Sequence, residues 1–291
     1  MRLVTFSHQD VVRIGLLITQ GQGSALLDLA AACPELPRTM QGLLAAGEPA
    51  MRAARAALAE APAHARLALA EVALLAPLPR PGKIICIGHN YTDHSAMAPG
   101  ELPEYPTFFS KYSTCVIGPG QPIVLPRVSQ QVDNEAELAV VIGRAGRFIR
   151  EQDALEHVAG YTIFNDVSAR DYQRRTTQWM MGKTFDTFGP MGPALVTRDE
   201  LADVANLTLS LRVNGREVQR GSTSGWIFAL PFLIAYLSEV MTLEPGDLIS
   251  TGTPSRVGEF RERPAFMRPG DQVQIEIEGI GVLENSAAAQ G

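Results

Sequence analysis

Cysteine is scarce in this chain. Its 291 residues include three, Cys33, Cys86 and Cys115, an odd number without metal-ligand spacing. That argues against a disulfide framework or a thiolate metal site, and fits reduced thiols packed as small core residues in a cytosol-like compartment. Blocks of like charge are missing too. The 25 basic and 31 acidic residues are dispersed and leave a formal net charge of -6, so there is neither a basic arm for nucleic acid nor a polybasic patch for a membrane surface. No run approaches the roughly 20 apolar residues that span a bilayer. The N-terminus, MRLVTFSHQDVVRIGLLITQGQG, is partly apolar, but His8, Gln9, Asp10 and Arg13 interrupt it and no small-residue cleavage site follows, so it does not read as a signal peptide. These absences set the expectation of a soluble, cytoplasmic protein with no nucleic-acid or membrane partner.

What is present is enough apolar material, 46% of residues, to bury a full core. Residues 1–78 alternate short β-like runs with an Ala-rich helical stretch, Pro49 to Ala61. The segment PLPRPGK, Pro77 to Lys83, cannot continue a helix or a central strand, and marks a boundary between a small N-terminal domain (1–78) and a larger one (79–291). The larger part is β-rich, with β-branched runs at Ile84 to Ile87, Val132 to Ile142, Gly160 to Phe164, Leu207 to Val213, Asp247 to Thr251 and Gln272 to Ile277. Asn214-Gly215 is a hairpin signal, because a two-residue type I′ turn needs positive φ at both positions. Helices are expected at Glu151 to Ala159 and Ile227 to Val240.

The run VDNEAELAVVI, Val132 to Ile142, carries two glutamates at a spacing of two. On a strand, Glu135 and Glu137 project from one side about 7 Å apart. The apolar LAVVI that follows directs the strand inward, where paired carboxylates repel unless bridged. A third carboxylate, Asp166, follows the β-like run Tyr161 to Phe164. Three carboxylates with no His or Cys between them suit a hard divalent cation, Mg²⁺, Mn²⁺ or Ca²⁺, rather than zinc. A solvated strand face with Asp166 capping a turn accounts for the same spacing. Nearby stand His94, Arg170, Gln173 and Lys183, and Thr251 and Thr253 in a TGTPSRVG loop that could serve an oxyanion. Each also has an ordinary structural role open to it.

Taken together and in order, KIICIGHNYTDH, FFSKYSTCVIGPG, VDNEAELAVVIG, FNDVSARDYQ, GKTFDTFGPMGP, LRVNG and PGDLISTGTPSRVG resemble the fumarylacetoacetate hydrolase family from Pro81 to the C-terminus. The C-terminal stretch is similar to the oxaloacetate tautomerase-like members. The resemblance implies an α+β fold with a mixed β-sandwich or β-roll catalytic domain, a homodimer, and a Mg²⁺ or Mn²⁺ site at Glu135, Glu137 and Asp166. It places the family's lysine at Lys183, its substrate-contacting residues at Arg170 and Gln173, and its base at His94. One position departs. Hydrolytic members have a glutamate three residues after that histidine, and here the residue is Met97, a thioether that cannot accept a proton or orient an imidazole. The expected activity is metal-dependent C–C hydrolysis of 2,4-dioxo acids, with oxaloacetate tautomerisation or decarboxylation at the same site as the alternative, and a non-catalytic scaffold as the alternative from another class.

Overall fold

The computed structural model describes residues 1–18, 25–93, 102–201, 203–254 and 265–291. Its centre is the antiparallel pair Ala136–Ile142 and Val158–Asn165, in which Leu138 lies opposite Ile163. All seven residues of Ala136–Ile142 are buried, which is why this run is apolar throughout instead of alternating with polar residues. The sheet continues on one side through Leu248–Ser250, then Ile84–Gly88 in parallel, to Thr107–Lys111. On the other side Gly189–Thr197 follows, and its register with Arg2–His8 joins the N-terminal strands to the same sheet.

A five-stranded sheet built on Thr208–Val213 and Gln272–Ile277 packs over the first. The two-residue alternation of side chains sorts the core into two layers. Leu138, Val140 and Ile142 meet Leu209, Leu211, Ile275 and Leu283 of the second sheet. Ala139 and Val141 face the opposite way, into the layer that holds Cys86, Phe164 and Phe188. Each such aliphatic side chain contributes about 1.5–3 kcal/mol by leaving water. The architecture is α+β, as expected from the resemblance. Among the described residues no helix is long and apolar enough to cross a membrane.

The Ala-rich helix spans Gly47–Glu60 and buries Ala50, Ala54 and Ala57 along one face. Asn214 and Gly215 have φ of 52° and 76° and turn Thr208–Val213 into Arg216–Ser222. Two helical expectations are adjusted by tertiary contacts. Residues 227–229 stay out of the helix Leu230–Val240 because Asn90 holds them: its carbonyl accepts from the Ile227 N–H at 2.8 Å and its Oδ1 from the Phe228 N–H at 2.8 Å. Glu151–His157 forms a 3₁₀ helix that ends where Val158 enters the sheet.

All three cysteines are buried, and burial pushes the thiols of Cys33 and Cys115 up to about 11 and that of Cys86 well above its ordinary value. Because the thiolate is the reactive form, the native protein at pH 8 should give little reaction with Ellman's reagent, and three thiols per chain once denatured. Rapid titration of a native thiol would contradict this packing.

Candidate active site

The site sits where a strand ladder is interrupted. Val132–Asp133 pairs with Ser168–Ala169, and pairing resumes at Ala136 opposite Asn165. Between them Asn134–Glu135 and Asp166–Val167 leave regular pairing. The uninterrupted strand expected over Val132 to Ile142 is therefore corrected: Glu135 lies in the break and Glu137 within the strand. Main-chain and amide contacts hold the break open, with the Asp166 N–H donating to the Glu135 carbonyl at 3.0 Å and the Glu135 N–H to Asn165 Oδ1 at 3.1 Å. Glu137, odd-numbered like Ala139 and Val141, faces the same layer. Glu135, Glu137 and Asp166 are all buried and present oxygens within 4.8 Å of one another.

Cations surround two of the three. Lys183 Nζ lies 2.6 Å from both Glu135 Oε2 and Asp166 Oδ2. Lys111 Nζ lies 2.6 Å from Asp166 Oδ1 and donates to the Val167 carbonyl at 3.0 Å. Arg170 bridges Asp133, at 2.9 Å, and Glu135, at 2.7 Å, and donates to Gln173 Oε1 at 3.0 Å. Glu137 differs. It accepts from the Ser250 hydroxyl at 2.5 Å and the Gly252 N–H at 3.0 Å, and among the described residues no cation lies within ion-pairing distance of it.

Titration follows the partners. Burial would raise the Glu135 carboxyl, but Arg170 and Lys183 outweigh it and hold that group well below the usual carboxylate range. Burial, then Asp166 and Glu135, push Glu137 well above that range. Lys183 is desolvated too, yet Asp166 and Glu135 more than offset this and keep its ammonium above the ordinary lysine value. It is therefore a positive charge and proton donor at neutral pH, not a base.

The donor set fits a hard cation. The candidate ligands are all carboxylate oxygens, and among the described residues the buried cluster has four acidic groups, Asp133, Glu135, Glu137 and Asp166, against three cations, Lys111, Arg170 and Lys183. When Glu137 is ionised, as a metal ligand must be, one negative charge is in excess among these groups, and oxygen-ligated Mg²⁺ or Mn²⁺ would neutralise it.

A cavity of about 250 Å³ opens onto this cluster and is lined by Glu135, Glu137, Asp166, Arg170, Gln173 and Lys183, with Phe109, Trp179, His89, Arg174 and Thr253 on its walls. Local packing positions these groups. A Cβ at Gly182 would lie 2.4 Å from the Gln173 nitrogen, so glycine there lets the turn Met180–Lys183 close onto Arg170–Gln173 and deliver Lys183. A Cβ at Gly88 would lie 2.2 Å from the Trp179 ring, which therefore rests directly on the main chain. His89 is held at φ 55° with its ring edge-on to Trp179, centroids 5.1 Å apart. Its imidazole is lowered from its usual value chiefly by burial.

The structure thus brings together Glu135, Glu137, Asp166, Arg170, Gln173 and Lys183. Thr251 is a correction. It is fully buried and its hydroxyl donates to the Leu138 carbonyl at 2.8 Å, so that donor is spent inside the sheet. Thr253 does line the cavity, but its hydroxyl donates to the Ala136 carbonyl at 2.9 Å. His94 and Met97 lie outside the described residues. Lys111, Asp133 and Ser250 were not singled out from the sequence. Lys111 had one available signal, a lone charge ending the apolar run TFFSK.

Residues 83–288 match the fumarylacetoacetate (FAA) hydrolase C-terminal family. The chain belongs to this family. It is 48% identical over 288 residues to the human mitochondrial oxaloacetate tautomerase FAHD2A, covering 98% of this chain and 91% of the relative. Among solved structures it is similar to fumarylacetoacetate hydrolase from Exiguobacterium antarcticum, 34% identical with a TM-score of 0.86 and both chains fully covered. It is also similar to maleylpyruvate hydrolase from a Sphingobium species in complex with manganese(II) and pyruvate, 32% identical with a TM-score of 0.81 and full coverage of both. Family members of these kinds are enzymes, and the chain is read as one. The expectation of a cytoplasmic location is overturned by the relatives: the human, bovine and rat tautomerases are named as mitochondrial. Composition could not have given this, since reduced cysteines and dispersed charge suit both compartments.

Proposed function

We propose that the chain is a divalent-metal-dependent keto-enol tautomerase of oxaloacetate, using Mg²⁺ or Mn²⁺. The observation that carries this reading is the buried acidic triad Glu135, Glu137 and Asp166, with oxygens within 4.8 Å of one another, facing a cavity that also holds Arg170 and Lys183. When bound, a divalent cation at the triad supplies Lewis-acid polarisation of a 2-oxo group. The chain's own residues do the rest. Arg170 and Gln173 orient the substrate carboxylate, and the Lys183 ammonium places a proton beside negative charge developing on the 2-oxo oxygen. The apolar wall of Phe109 and Trp179 limits access of water. The C3 proton passes to His94, the base that the resemblance implies, while Lys183 donates at the 2-oxo oxygen; this exchange requires no activated water, and Met97 stands where hydrolytic members have the glutamate that helps activate one. The tautomerase relative at 48% identity supports the same choice.

C–C hydrolysis of an acylpyruvate is the second reading, supported by the likeness to maleylpyruvate hydrolase. One experiment separates them. With Mn²⁺ present, enol-oxaloacetate absorbance should decay rapidly, while acetylpyruvate should release little pyruvate. Fast pyruvate release with no acceleration of enol decay would reject the tautomerase.

A further inference from the structure

The segment PLPRPGK, Pro77 to Lys83, contributes nothing to the lining of the catalytic cavity, yet it carries an arginine between two prolines. Pro79 and Pro81 restrict the main chain on either side of Arg80. The buried Thr5 hydroxyl donates to the Pro77 carbonyl at 2.7 Å and pins the segment to the strand Arg2–His8. Arg80 is exposed, and no hydrogen bond or ion pair commits its guanidinium to another of the described residues. It lines a second cavity, of about 390 Å³, which shares no residue with the first.

Arg38 lines the same cavity, donating to the Ala30 carbonyl at 3.1 Å and the Pro34 carbonyl at 3.2 Å. Neutral carbonyls orient a guanidinium without cancelling its charge. Among the described residues lining this cavity there is no Asp or Glu, so two positive charges border it in a chain whose net charge is -6. Much of the remaining lining is apolar: Ile14, Met40 and Leu78 are buried, and Val12 beside them is exposed. A ligand that fits must therefore combine two characters. A carboxylate meets a guanidinium in charge-assisted hydrogen bonds, and a hydrocarbon body gains by leaving water against the aliphatic wall.

We propose that this cavity is a second binding site, which takes an amphipathic carboxylate: its carboxylate meets Arg80 and Arg38, and its short hydrocarbon body meets Ile14, Met40 and Leu78. Its occupancy depends on nothing at the acidic triad.

Calorimetry on the full-length protein, with Mn²⁺ and saturating pyruvate present to fill the acidic cavity, tests this with octanoate, octanol and acetate. Octanoate should bind more tightly than octanol by about tenfold or more, the worth of at least one charge-assisted contact. It should exceed acetate, which has no hydrocarbon body, by a similar factor of about ten or more. Arg80→Met should weaken octanoate by about tenfold and leave octanol unchanged, and Arg80→Lys should keep part of the difference. Octanoate that binds no better than octanol, or no better than acetate, overturns the proposal. An unchanged octanoate affinity in Arg80→Met overturns it too, as does equal weakening of octanoate and octanol, which would mean a merely structural role.

Discussion

Glu137→Gln is expected to lower Mn²⁺-supported enol-oxaloacetate turnover by roughly a thousandfold, the equivalent of several kcal/mol of lost Lewis-acid assistance. Glu135 has Arg170 and Lys183, and Asp166 has Lys111 and Lys183, whereas Glu137 has no ion-pair partner among the described residues and its ionised form would be matched by an added cation. An amide keeps the size of the side chain and removes that charge. The metal-free variant should be no less stable than the metal-free wild type, since the amide is neutral and accepts the same Ser250 and Gly252 hydrogen bonds without the cost of burying an ionisable acid. The stabilisation that Mn²⁺ gives the wild type, which grows with metal concentration over its dissociation constant, should disappear. Thermal unfolding with and without Mn²⁺, beside the enol assay, checks both halves. Retention of activity within tenfold would remove Glu137 from the metal set.

Lys111→Met carries the second large effect, this time on stability. Lys111 and Asp166 are both wholly buried, and the ammonium also satisfies the Val167 carbonyl. Removing one partner of a buried pair leaves an uncompensated charge and costs about 3–5 kcal/mol. For a chain of this size that corresponds to a fall in the unfolding midpoint on the order of ten degrees. The deficit should be largest in metal-free protein and narrow with saturating Mn²⁺, because the ion restores positive charge beside Asp166. Urea unfolding of the two metal-free proteins decides it, and equal midpoints would show that Asp166 is adequately balanced by Lys183 alone.

The two residues also show what could be read in advance. Glu137 was legible because LAVVI fixes its strand as inward-running and the two-residue period fixes its side. Glu135 was named correctly by its spacing, but its position depends on the interruption between Asp133 and Ala136, which exists only because the partner strand breaks at Asp166 and Val167. A regular strand and a broken one have the same local sequence pattern. Lys111 was illegible for a related reason. A lysine ending TFFSK reads as a solvated edge residue, and its partner lies 55 positions later. Thr251 misled in the opposite direction: a hydroxyl in a Gly-Pro loop resembles a ligand donor until the Leu138 carbonyl is found against it. Fold class survived because the apolar runs and the Asn214-Gly215 turn carry it locally, while charge pairing across the cavity belongs to the assembled chain.

Trp179 lying against Gly88 limits how this enzyme's substrate range can be altered. Even one methyl group at position 88 collides with the indole, so the bulky side chain must shrink first and the glycine change second. Redesign that begins at position 88 meets a steric clash with the indole, whereas a path opening with Trp179→Leu widens the chamber at once and leaves the later change at position 88 accessible.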